Sequence, residues 1–430
     1  MNFHAASDGA TTGFRILFFR VGRVWQFTGE SDRWQAEFRP EGLSTDAWCW
    51  PTYTFHIPGE WASGPYIACF ASENKDLRVQ SIQHGAGDRN LALFVVKRPR
   101  WRSSASILYK IPIFTYCAYN AEGCGSLYTG PRSKVTLNRP GCGAGGDPCD
   151  RETVDFYDTS SPRQTFAHWD APFVCWLESN GYNVDYCTDV DVHRNEDGFL
   201  GSHHLMVTVG HDEYWTQEMR TNVERFIASG GNLAFFSGNT CWWRVHLADG
   251  GTAITCDKRK AAEGSEAPDQ WMGFDPETRM TGVSFRFGGG WWSGQREAVG
   301  YTVQNSRHWV YDGTGLKDGD VFGGGPEQAL VGYECDGLPL CRVRDNHGYL
   351  VPDNSRGTPD TFQILGTAPL SSRWEYRETE NATAVLGTYT RGGTVFSAAT
   401  TDWARVLRDG DPVVDRITRN VLNRLSSTPG

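Results

Sequence analysis

Apolar residues in the first hundred positions come in short or alternating runs, at 14–19, 24–28, 52–57, 66–70 and 91–96. Gly29-Glu30-Ser31 and Pro58-Gly59 punctuate these runs, and no stretch holds a 3.6-residue period. Side chains alternate faces along a strand and recur every three to four positions on a helix, so the pattern predicts an antiparallel β-sandwich over residues 1–105.

The pattern changes near Ile107. Residues 107–114 form an apolar run that reads as a buried strand, with Pro112 marking its end or an edge. A loop rich in Tyr, Asn and Gly is expected over 116–128. Residues 129–165, dominated by Gly, Pro, Asp and Thr, read as a long loop insertion. Asp170 then caps a predicted helix with Pro172 in its first turn; Phe173, Trp176 and Leu177 share a face and Gly181 supplies the stop. Strands are expected at 183–188, 205–209 and 232–236. Between the last two lies a helix over 216–229, with Met219, Val223, Phe226 and Ile227 on one stripe. Near-continuous apolar strands separated by helices mean a parallel sheet with right-handed crossovers and helices on both faces. An α/β domain over 106–430 follows. Residues 244–380 form its second insertion, Gly-rich with short strands at 283–287, 299–303 and 330–334. Strands at 383–389 and 394–399 and a helix opened by Pro412 close the chain.

Composition narrows the partners. Net charge is −10 over 430 residues and no long Lys/Arg block occurs, which disfavours nucleic acid. No apolar run approaches the roughly 18 residues of a membrane helix. The N-terminus lacks a basic region followed by an apolar stretch, so it does not read as a secretory signal, and a reducing, cytoplasmic setting is favoured, with secretion after signal removal left open. Among twelve cysteines, Cys142/Cys149 and Cys335/Cys341 could close loops as disulfides, but no CxxC pair supports zinc. A small-molecule substrate is the expected partner, and a homo-oligomer is compatible with this composition.

Ligands of open parallel sheets collect beyond the carboxyl ends of the strands. Three such segments are unusually polar: Tyr116 to Tyr128, Gly210-His211-Asp212-Glu213-Tyr214-Trp215, and Ser237-Gly238-Asn239-Thr240-Cys241-Trp242-Trp243. Asp212 and Glu213 suit a helix N-terminus, where Asp212 would cap and Glu213 would meet the dipole. His211 beside a buried strand and Tyr214-Trp215 at the helix entry are not explained that way. His211, Glu213, Glu334 and Asn239 are the candidate catalytic residues; Tyr119, Asn120, Trp215 and Trp242 are the candidates for contact with substrate.

Val209-Gly210-His211-Asp212-Glu213-Tyr214-Trp215 and Gly230-Gly231-Asn232-Leu233-Ala234-Phe235-Phe236-Ser237-Gly238-Asn239 resemble the C-terminal domain of the N,N-dimethylformamidase large subunit and its relatives. Tyr119-Asn120, Ser126-Leu127-Tyr128, Trp176-Leu177-Glu178, Val331-Gly332-Tyr333-Glu334 and Thr400-Thr401-Asp402-Trp403-Ala404 fit the same family. The resemblance implies a fold like class I glutamine amidotransferases preceded by a β-sandwich. In those amidotransferases a nucleophilic Cys sits on a G-x-C-x-G elbow; here that position is Phe236, so a covalent acyl-enzyme is disfavoured. The family is described instead as mononuclear iron enzymes with two tyrosinates and one glutamate. Tyr214 is the expected tyrosine ligand, residues 170–176 hold no second one, and the glutamate is expected at Glu277 or Glu297. The resemblance thus implies hydrolysis of a non-peptide C–N bond assisted by Fe(III) as a Lewis acid, with Glu334 as base and His211 and Asn239 supporting it. Two rivals stand beside it: a non-catalytic carbohydrate- or ligand-binding protein, and a biosynthetic enzyme that uses the same site for another reaction.

Overall fold

The computed structural model describes all residues except 8, 47, 73–89, 99–103, 130–132, 142, 145–154, 160, 261, 263–264 and 428–430; of 340–344 the backbone is described. Its first sheet is antiparallel. Strand Thr12–Val21 lies between Trp25–Glu30 and Gly64–Ser72, Leu91–Val96 pairs with the latter, and Trp34–Ala36 adds to Thr12–Val21. Alternation sends Ile16, Phe18, Tyr66, Ala68 and Phe94 to one face, where Phe3 joins them from a ribbon of Asn2–His4 and Thr52–Thr54. Leu17, Phe19, Val21, Ile67 and Cys69 point the other way, into the core of the α/β region. This sheet is therefore buried on both faces, and Arg20 bonds Glu178 of helix Ala171–Ser179 with both guanidinium ends, at 2.8 and 2.7 Å.

The large mixed sheet places Val184–Thr188, Ile107–Ile111, Leu205–His211, Asn232–Gly238 and Gly393–Ser397 side by side, all parallel. Thr383–Arg391, Gln363–Pro369 and Tyr301–Val303 extend it antiparallel. Successive residues of a strand face opposite sides, and the cores divide accordingly. Leu205, Val207, Val209, Ala234 and Phe236 pack under helices Ala171–Ser179 and Pro412–Ser426. Met206, Leu233 and Phe235 pack under Ile113–Tyr119 and Gln217–Ala228.

Several expectations need correction. The run at 107–114 stops at Ile111, and residues 113–119 form a helix rather than a loop. Pro112 cannot donate to the ladder, and its carbonyl accepts from Thr115 N instead, at 3.1 Å. Asp170 stands at the head of helix Ala171–Ser179, but its carboxylate makes no capping bond; it takes hydrogen bonds from Tyr109 and Tyr116. Asp212 does not cap the next helix either. The strand runs on through His211, a short strand Tyr214–Thr216 pairs in parallel with Trp243–Ala248, and Thr216 caps Gln217–Ala228 through Met219 N. In the 244–380 insertion the strand expected at 330–334 begins only at Glu334 and runs to Gly337. Cys335 is a free, buried thiol, so the Cys335/Cys341 disulfide is not formed. The Cys142/Cys149 pair lies outside the described residues.

Candidate functional site

The carboxyl ends of the parallel strands carry the polar residues that the sequence brings together. Gly210, at φ +68°, sits where an added Cβ would come within 2.5 Å of the Trp169 Cβ, so the strand can turn here only with glycine. Beyond it His211 is completely buried, with Nε2 2.7 Å from Glu334 Oε2 and 3.5 Å from Glu213 Oε2. The Glu334 contact is a close ion pair rather than an aligned hydrogen bond, since Nε2 lacks hydrogen-bond geometry to any partner among the described residues. His211 Nδ1 faces Gln164 Oε1 at 2.8 Å, and Gln164 Nε2 donates to the Tyr333 hydroxyl at 3.1 Å.

Glu334 is held from three sides. Asn239 Nδ2 donates to Oε2 and Trp292 Nε1 to Oε1, each at 3.0 Å. Asp336 accepts from the backbone amides of Asn239 and Thr240, fixing a loop in which Asn239 has φ +48°. Gly238 permits this approach: a Cβ there would lie 2.7 Å from Glu334 O and 2.8 Å from Thr401 N. Asn239 Oδ1 is buried with no hydrogen-bond partner among the described residues.

Glu213 collects phenols. Tyr119 donates to its Oε2 at 3.0 Å, and Tyr128 reaches both oxygens at 3.0 and 2.9 Å. Tyr214 donates to the Tyr128 hydroxyl at 2.5 Å and receives Lys258 Nζ at 2.6 Å. Thr115, on the helix that replaces the expected loop, accepts from Glu213 N at 3.0 Å.

Burial is the largest influence throughout. It opposes the imidazolium of His211, but Glu334, Glu213 and Asp212 outweigh it and raise His211 above its ordinary value. It pushes Glu334 up, yet His211, Trp292 and Asn239 bring that carboxyl below the usual range. The two directions agree: the pair is charged. Burial raises Glu213, with His211 and Lys258 resisting. Tyr119, Tyr128 and Tyr214 are held far above the ordinary phenol value by burial and then by the Glu213 charge.

His211, Glu213, Glu334, Asn239, Tyr119 and Tyr214 therefore meet in one place. Five candidates do different work. Asn120 ties its own turn, bonding Pro140 O and Glu122 N. Trp215 is buried under Lys110 and donates to Asp212, supporting the segment from behind. Glu277 is buried apart from the cluster against Ser284, where burial pushes its carboxyl up to about 7. Glu297 bonds Ser371 and pairs with Arg373. Trp242 stands in an aromatic patch with Phe285. Sequence reasoning missed Tyr128, Gln164, Lys258 and Trp292 as site residues. Tyr128 left a trace, at the end of the polar 116–128 segment and in the Ser126-Leu127-Tyr128 match, and Trp292 left one in the abundance of tryptophan along the chain.

The position that the nucleophile elbow takes in amidotransferases holds no nucleophile here. Phe236 is core, packed on Phe173, Phe396 and Trp403. Ser237 faces Thr240, and burial lifts the Cys241 thiol well above its ordinary value although Arg220 opposes this. Among the described residues no group of three or more His, Cys, Asp and Glu side chains is arranged for a metal; the oxygen set here is two phenols and one carboxylate. Nor is any described helix long and apolar enough to cross a membrane.

Comparison with known proteins agrees with the motif reading. A family model described as N,N-dimethylformamidase beta subunit-like, C-terminal, matches residues 21–416. The N,N-dimethylformamidase beta subunit of Paracoccus aminophilus is 24% identical over 414 residues, covering 81% of this chain and 52% of that protein. The subunit of the same name from Alcaligenes sp is 25% identical over 304 residues, covering 61% and 38%. The chain thus spans about half the length of the first relative and less of the second. A solved ThuA-like protein from Bacteroides uniformis overlays 59% of this chain and 81% of its own, at 9% identity and a TM-score of 0.32.

Proposed function

Because the chain belongs to the N,N-dimethylformamidase beta subunit-like C-terminal family, we propose that it hydrolyses a non-peptide amide to a carboxylic acid and an amine at the His211–Glu213–Glu334 cluster. The observation that carries this reading is the convergence of Tyr119 and Tyr128 on Glu213, within 3.5 Å of the His211 ring nitrogen that pairs with Glu334.

Two phenols and a carboxylate are hard oxygen donors and match the ligand types that the family resemblance implies for iron. Tyr119, Tyr128 and Glu213 fit that role, in place of Tyr214 with Glu277 or Glu297. Tyr214 and Lys258 stand behind Tyr128, where hydrogen bonds tune a ligand rather than bind the ion. Iron(III) held there supplies Lewis acidity towards an amide carbonyl oxygen and a water molecule.

The chain's own residues handle the protons. Glu334, ionised and held by Trp292 and Asn239, accepts a proton from the water that attacks the carbonyl carbon. His211, oriented by Gln164 and Tyr333, stabilises the charge passing through Glu334. The proton then returns to nitrogen as the C–N bond breaks, and the amine leaves neutral. Asn239 Oδ1, buried without a partner, is an acceptor for an N–H or a water in this space.

The relatives are named as subunits, and assembly with further chains belongs to the same proposal. So does the division into a β-sandwich over 1–105 and a glutamine amidotransferase-like unit over 106–430: the five parallel strands support the second unit, and the antiparallel sheet with its two-stranded ribbon supports the first. The test is amine release from simple formamides by the purified protein. Turnover that collapses in Glu334→Gln supports the reading; no turnover of any amide by iron-loaded protein overturns it.

A further inference from the structure

The rings around this site form an arc whose two ends rest on its two carboxylates. Trp292 donates to Glu334 at one end. Its ring lies 5.9 Å from that of Tyr376, Tyr376 stacks on Phe285 at 5.0 Å with an interplanar angle of 4°, and Phe285 meets Trp242 edge-on at 5.6 Å. Trp243 follows at 6.3 Å. Lys258 Nζ bridges from Trp243, at 4.8 Å, to the face of Tyr128, at 3.4 Å, and the Tyr128 hydroxyl returns to Glu213.

These rings are buried to different degrees: Trp242 and Phe285 are 5% and 6% exposed, whereas Trp292 and Tyr376 are half-buried. Trp242, Phe285 and Tyr376 belong to none of the three apolar clusters that hold the fold together, and Tyr376 keeps partial access to solvent. Nor does the middle of the arc carry net positive charge. Arg286, 5.9 Å from the Trp242 ring, is paired with Glu266 at 2.5 Å and Glu378 at 3.1 Å. What the arc leaves accessible is its end beside Glu334, where Tyr376 and Trp292 are half-buried and Phe285 and Trp242 back them from within.

We propose that this arc selects amides carrying a flat, uncharged aromatic group, stacked on Tyr376 beside Trp292 while the amide reaches Glu334 and Glu213. The inference rests on the amide-hydrolase reading above and adds its substrate class. Ring stacking exceeds plain area burial by an amount that corresponds to about three- to tenfold in affinity.

The test is calorimetric titration of the purified full chain with formanilide and with N-cyclohexylformamide, which is similar in size but saturated. The expected result is formanilide bound about three- to tenfold more tightly, a margin lost in Tyr376→Leu and kept in Tyr376→Phe. Equal affinities in the native protein, a margin surviving Tyr376→Leu, or no binding of either probe overturns the proposal. Aniline release from formanilide separates the two readings. Tight, Tyr376-dependent binding without any amide turnover overturns the hydrolase and leaves the aromatic preference. Turnover of N,N-dimethylformamide with no margin for formanilide overturns the preference alone.

Discussion

Replacing Glu334 with Gln removes the charge facing His211 while nearly keeping the side chain's shape. The two groups are 2.7 Å apart with side-chain exposures of 0% and 4%. His211 is raised in the folded state, so its contribution to stability is complete below its unfolded value of about 6.5 and is lost as pH rises through the folded value. Glu334 is lowered, so its contribution is present above about pH 4.3 and is lost as pH falls through the folded value. The pair therefore stabilises most between about pH 4.5 and 6.5. Removing one partner of a buried pair costs roughly 3–5 kcal/mol when the other stays charged, and because His211 can shed its proton, about 3 kcal/mol is expected near pH 6. A Gln also cannot accept from both Trp292 and Asn239. Urea unfolding of both proteins at about pH 6 and about pH 9 measures the loss, which should shrink at the higher pH as the native imidazolium disappears. An equal loss at both values, or none, refutes the ion pair. On the proposed function, kcat for amide hydrolysis falls by about 10²–10⁴ with little change in KM.

Lys110→Met leaves Asp189 and Asp212 without the ammonium that holds them at 2.6 and 2.7 Å in a fully buried site; a loss of about 3–5 kcal/mol is expected in denaturant unfolding, and a change below about 1 kcal/mol contradicts it. Gly238→Ala drives a Cβ towards Glu334 O and Thr401 N; it should cost about 1–3 kcal/mol and lower kcat, while a variant of unchanged stability and activity contradicts the close approach. Glu277→Gln removes a carboxyl that burial raises to about 7, so the native protein loses stability relative to the variant as pH rises from about 4.5 to about 7, by roughly 3 kcal/mol in all. Unfolding midpoints that move in parallel across that range contradict it.

The parallel strands were legible because each is an apolar run bounded by glycine or a helix cap, as at 205–209 and 232–236. Helix Ile113–Tyr119 was not, because Phe114, Cys117, Ala118 and Tyr119 pack into one core while Tyr116 packs into the other, which blurs any single apolar stripe. The polar strand ends were visible as a set, and His211, Glu213, Glu334, Asn239, Tyr119 and Tyr214 do meet. Their pairing was not visible. Tyr128 and Gln164 come from loops with no periodic signal, and Glu334 meets His211 only because Gly238 lets two backbones touch. Glu277 and Glu297 stood in an unreadable insertion, where nothing in the sequence separates a buried carboxyl against Ser284 from a ligand.

The most direct test of the central claim is metal analysis with the visible spectrum of the purified protein, alongside Glu213→Gln, Tyr128→Phe and Glu277→Gln. About one iron per chain is expected, with a tyrosinate-to-iron absorption band lost in Glu213→Gln, weakened in Tyr128→Phe and intact in Glu277→Gln. Full iron and an unchanged band in Glu213→Gln, or amide hydrolysis by protein that carries no metal, would contradict it.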